Sequence, residues 1–126
     1  MVTDPTYCCW RTWIFLVTDS LYQALVNAGY QVTHRLAPEY TWDGTDPALA
    51  GFAGVVHLAG FTYFAGLSAA AQESLVTYVN AGGHYVTNMY TQYKVWETKT
   101  EPLMTDLALH RWGGGVQAPI IVSIVR

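Results

Sequence analysis

The chain has 126 residues, 52% of them hydrophobic and 12% charged, with a formal net charge of −3. That suits one domain with a well-filled core and a charge-poor surface, which protects weakly against association, so a homo-oligomer or a neighbouring domain is the expected partner. Six basic residues with no run among them argue against nucleic-acid binding, and no apolar run approaches the roughly 18 residues of a membrane span.

The first residues, "MVTDPTY", carry neither the basic nor the apolar region of a signal peptide. The expected address is therefore the cytoplasm. Cys8 and Cys9 are adjacent, which suits neither a metal pair nor a redox pair. They are expected as reduced thiols ahead of the first strand. The apolar run Trp13 to Val17 then reads as that strand, buried on both faces, with Asp19 or Ser20 capping the helix that follows. Leu21, Leu25 and Ala28 recur at helical spacing, and Gly29 stands where a left-handed cap ends the helix.

Residues 31–36, "QVTHRL", predict a second strand. Residues 37–52 hold two prolines, two glycines and three acidic residues; they predict a loop with one helical turn at Pro47 to Ala50. "AGVVHLAG" (53–60) predicts a third strand. Ser68 should cap a helix whose apolar stripe is Ala71, Leu75 and Val79, ending at Gly82. The tetrapeptide Val-Asn-Ala-Gly closes both helices, at 26–29 and 79–82. "GHYVTNM" (83–89) predicts a fourth, inner strand. Residues 90–102 show no clear period. "DLALHRW" and "VQAPIIVSIV" around "GGG" predict a C-terminal β-hairpin, with a helix over 101–110 as the alternative.

Alternating strands and helices predict an α/β fold: a doubly wound, mostly parallel, flavodoxin-like sheet. Ligands of such sheets bind outside the carboxyl ends of the strands. "TDSLYQ" after the first strand lacks the glycines that a phosphate loop needs, and no G-x-G-x-x-G occurs, so no cofactor is expected. Asp19, Trp42, Tyr63, Asn88 and Tyr90 are the candidates for lining a cleft that takes a small molecule. His57 and His84, in adjacent strands, are the one pair that suggests a metal, without a third ligand. The expectation is a local hydrogen bond for each and no metal site. Tyr40, Trp42, Phe61, Tyr63, Phe64, Tyr90, Tyr93 and Trp96 form an aromatic set suited to packing the loops, to an interface or to a pocket.

The stretch "LSAAAQESLVTYVNAGGHYVTNMY" resembles the approach to the nucleophile strand of class I glutamine amidotransferase-like domains. "AGFAGVVHLAG" and the Asp-Ser pair after the first strand extend the resemblance over roughly residues 13–90, and "EPLMTDLALHRWGGG" looks like members whose nucleophile turn is altered. The resemblance implies a cysteine on the turn after the fourth strand, its thiolate favoured by the next helix N-terminus and activated by a histidine. Asn88 or Met89 stands there, and neither an amide nor a thioether attacks. His110 falls where a partner histidine would be sought, with nothing to activate. The expectation is a non-catalytic domain that acts by binding or assembly. The alternatives are a hydrolase using Asp19, Ser20 and a histidine, and a structural module pairing through "PIIVSIV".

Overall fold

The structure, a computed structural model, describes residues 6–11, 17–35, 37–58 and 64–108, with backbone alone at 6–11, 17–19 and 89. Its elements, in chain order, are β1 (Thr6–Arg11), α1 (Val17–Asn27), β2 (Gln31–Arg35), β3 (Gly54–Leu58), α2 (Ala69–Asn80), β4 (His84–Thr87) and α3 (Met89–Trp96). The four strands form one parallel sheet in the order β2-β1-β3-β4. This is the α/β architecture with a short parallel sheet.

The first strand lies earlier than the apolar run suggested. β1 is "TYCCWR", and Val17 already opens α1. Residues 13–16 of that run lie outside the described residues. Thr, Tyr, Cys and Trp all suit a pleated surface, so the strand needs no aliphatic run. Cys8 and Cys9 are thus within a strand that pairs on both sides, not ahead of it. Asp19 and Ser20 fall in the first turn of α1 rather than at its cap.

Both Val-Asn-Ala-Gly segments close their helices by one mechanism. The Gly29 and Tyr30 amides donate to the carbonyls of Val26 and Leu25, and the Gly82 and Gly83 amides to those of Val79 and Tyr78. These are Schellman closures, and they need a positive φ at the glycine; φ is +90° at Gly29 and +96° at Gly82. Sequence and geometry agree here because a left-handed residue is required and only glycine takes it without steric cost.

β3 is buried at four of its five positions, as a strand paired on both sides should be. The core gathers between the sheet and α2: Trp42, Val55, Ala71, Leu75, Tyr85 and Met104 belong to it. Ser68 caps α2, its Oγ accepting from the Ala71 amide at 3.2 Å. Ser68→Ala should therefore lower unfolding free energy by about 1 kcal/mol, read as a shift in urea midpoint at unchanged slope.

Three expectations differ from the structure. The helical turn expected at 47–50 is a tight turn bridged between Thr45 and Ala48, and the 3₁₀ turn comes earlier, at Glu39–Thr41. β4 ends at Thr87, and in the described sheet it is the last strand rather than an inner one. The segment 90–102 is largely α3. Within the expected hairpin, or the alternative helix over 101–110, residues 102–107 form a 3₁₀ turn at Pro102–Met104 and further turns, with Leu107 and Ala108 buried. The remainder of the hairpin, "PIIVSIV" and His110 lie outside the described residues.

Candidate functional site

The carboxyl edge of the sheet is where β4 turns into α3 at a single residue, Asn88. The Asn88 carbonyl accepts the Thr91 amide at 3.2 Å, which fixes the corner as the start of the helix. Tyr90, the second residue of α3, is exposed. Asn88 and Tyr90 thus stand together at the corner. Trp42 does not join them. It is 1% exposed, packed in the core, and its Nε1 donates to the Pro47 carbonyl at 3.0 Å. An indole committed to the core in this way cannot wall an open cleft. Asp19 lies in the first turn of α1, and Tyr63 lies outside the described residues.

Beneath the corner is a set of polar side chains that apolar periodicity does not reveal. In the β3–β4 register Val55 faces Tyr85 and His57 faces Thr87. Strand alternation puts these four on one face of the sheet. His57 Nδ1 and the Tyr85 hydroxyl are 2.7 Å apart. The hydroxyls of Thr87 and Thr91 bond to each other. Thr91 and Lys94 are three apart on α3 and so share a face. Lys94 Nζ donates to Glu39 Oε1 at 2.9 Å and lies 3.5 Å from Glu101 Oε1. Glu101 Oε1 accepts the Leu67 amide at 3.1 Å. Gln72 of α2 completes the floor. It donates to the Leu67 carbonyl at 2.7 Å and accepts from the Leu103 amide at 3.0 Å.

These groups are sealed. Lys94, Glu101 and His57 are 0% exposed and Glu39 is 1% exposed. Burial, helped by the Lys94 charge, pushes His57 down to about 3, so the ring is neutral near pH 7. Burial raises the Tyr85 phenol far above its usual range, and the Glu101 charge adds to that. Burial also raises Glu101 against the opposing pull of Lys94. The cluster is a neutral imidazole and phenol beside an ammonium held mainly by one carboxylate. Such groups could move protons only if a substrate reached them.

The other candidates do not assemble. His84 pairs with Gly54 at the amino end of β4 and is exposed, three positions from the register of His57. No group of three His, Cys, Asp or Glu residues that could hold a metal occurs among the described residues. Cys9 pairs with Val56, which pairs with Val86; its backbone is two strands, about 10 Å, from β4. Ser20 is exposed on α1, and the His34 ring stacks on Tyr22 with centroids 5.3 Å apart. No helix among the described residues is long and apolar enough to cross a membrane. Compared with models of known families, with curated proteins and with solved structures, the chain has no significant match.

Proposed function

We propose that the chain is a non-catalytic domain of the doubly wound, amidotransferase-like kind that works by binding or assembly. The strand order β2-β1-β3-β4 supports the doubly wound reading. From β1 the chain steps outward one way through α1, and from β3 the other way through α2. Right-handed crossovers taken in opposite directions put the two helices on opposite faces. The direct passage from β4 through Asn88 into α3 supports the amidotransferase-like elbow.

One observation carries the non-catalytic reading: Lys94, Glu39, Glu101 and His57 under the corner are all at most 1% exposed. A general acid or base must come within hydrogen-bond reach of the substrate atom it serves. Lys94 is paired with Glu39 and Glu101 and His57 with Tyr85, and the described side chains at the corner itself are an amide and a phenol. The test is an assay of ammonia release from glutamine and of acid release from simple esters and amides. No turnover above buffer is expected. Turnover that disappears in Ser20→Ala or His34→Ala would replace this reading with the hydrolase alternative.

A further inference from the structure

The loop between β2 and β3 contains a bond with chemistry of its own. Among the Asp and Asn residues of the chain, only Asp43 stands before a glycine. In an unfolded chain such a step rearranges without an enzyme. The glycine nitrogen, its proton taken by water, attacks the aspartic acid Cγ. The carboxyl hydroxyl leaves, with that proton, as water, and a five-membered succinimide closes. Water then opens the ring at either carbonyl, which restores the mass. Opening at the former backbone carbonyl reroutes the chain through Cγ and lengthens the backbone by one carbon. Glycine favours the reaction because no side chain hinders its nitrogen or the rotation that ring closure needs. Asp43 is exposed, so water reaches it.

The folded loop opposes each step. The Thr45 hydroxyl and amide both donate to Asp43 Oδ1, at 2.6 and 2.9 Å. This Asx turn engages the carboxyl with the amide beyond Gly44. The two bonds, with a smaller pull from the Arg35 charge, hold that carboxyl below its usual range, because donors favour the ionised acceptor. The form that loses water is the neutral acid, so its share falls. Gly44 also has little room to turn. Its φ is +97°, and a Cβ there would collide with Ser74 of α2. The loop is anchored around it: the Trp42 indole donates to the Pro47 carbonyl at 3.0 Å, and Arg35 donates to the Asp46 carbonyl at 3.1 Å. An inserted backbone carbon would fall between these anchors, beside a tryptophan of the core.

We propose that Asp43–Gly44 is a latent isomerisation site, and that Thr45 guards it by holding the Asp43 carboxylate away from the Gly44 nitrogen. Thr45 acts through that carboxylate, as a positioning residue. The unfolded chain lacks the guard and reacts; the folded chain keeps the backbone its core requires. The inference is independent of the Asn88 corner: turnover of glutamine or of an ester would sink that reading and leave the rate at Asp43 untouched.

The test incubates the full chain at neutral pH, folded and in urea, and follows isoaspartate at residue 43 by peptide mapping with electron-transfer fragmentation, which separates the isomers at equal mass. The folded chain should react roughly tenfold more slowly than the unfolded one, since the loop must first open. Thr45→Val, at an exposed position, keeps the amide bond and removes the hydroxyl. At an unchanged melting temperature it should react about fivefold faster than the parent chain, as the loss of one hydrogen bond allows. Thr45→Ser should restore the parent rate. The proposal is overturned if folded and unfolded parent chains react alike, if Thr45→Val reacts no faster than the parent, or if Thr45→Ser matches Thr45→Val. The first comparison needs no variant, so it holds even where a substitution disturbs the fold.

Discussion

Lys94→Ala is expected to cost about 3–5 kcal/mol of unfolding free energy, the range for breaking a buried ion pair by removing one partner. The loss is large because Glu39 and Glu101 stay behind. Both carboxyl groups are taken out of water, and Lys94 is the cation between them, at 2.9 and 3.5 Å. A domain of this size is stable by roughly 5–15 kcal/mol, so the variant should sit near the edge of folding. Urea unfolding measures the loss directly. The two carboxylates should differ when changed singly. Glu39→Gln removes the closer partner and should cost more than Glu101→Gln, because burial already favours the neutral form of Glu101. Replacing all three by apolar residues of similar volume should recover much of the stability, since no charge is then left unpaired. If Lys94→Ala costs less than about 1 kcal/mol, the cluster is not the sealed unit described above.

The second large effect is acid lability from His57. Its ring is fully buried, and its folded pKa of about 3 lies below the unfolded value of 6.5. Folding therefore favours the neutral ring. That contribution is complete above about pH 6.5 and is lost as pH falls toward 3. Each tenfold change in proton affinity is worth about 1.4 kcal/mol, which makes the whole effect on the order of 5 kcal/mol. Glu101 acts with the opposite sign. Its folded pKa is raised, so its contribution is complete below the unfolded value and declines as pH rises through the folded one. Stability should therefore fall steeply on the acid side of pH 6.5. In His57→Gln the decline should flatten by about one proton's worth of slope, even though the variant loses the bond to Tyr85. Chemical unfolding at a series of pH values resolves this. An unchanged slope in the variant would show that His57 titrates freely.

The sequence is legible where one physical rule decides a position alone. Ser68 and the two closing glycines are such places, and so is the apolar stripe of α2. α3 is illegible for a related reason. Its buried positions are Thr91, Lys94 and Val95, so the face turned to the protein mixes polar and apolar side chains and hydrophobic periodicity marks it poorly. The same holds for the site. Glu39, in a loop, and Glu101, past the end of α3, carry no local sign that they meet at one lysine 55 and 7 residues away. Only the sheet register and the path of α3 bring them together. Trp42 misleads in the other direction. An aromatic residue in a polar loop suggests a cleft, yet its indole finds the Pro47 carbonyl and packs into the core. For β1, mixed residues with β-propensity form the strand, while the apolar run from Trp13 that follows it in sequence is the more conspicuous signal.

Amine acetylation, read by mass spectrometry, tests the sealed cluster most directly. The chain has two lysines, Lys94 with 0% exposure and Lys99 in an exposed turn. In the native protein Lys99 should acetylate within minutes while Lys94 stays unmodified, and both should react alike once the chain is unfolded in urea. Native labelling of Lys94 at the rate of Lys99 would contradict the account, because it would place that ammonium within reach of a substrate at the corner.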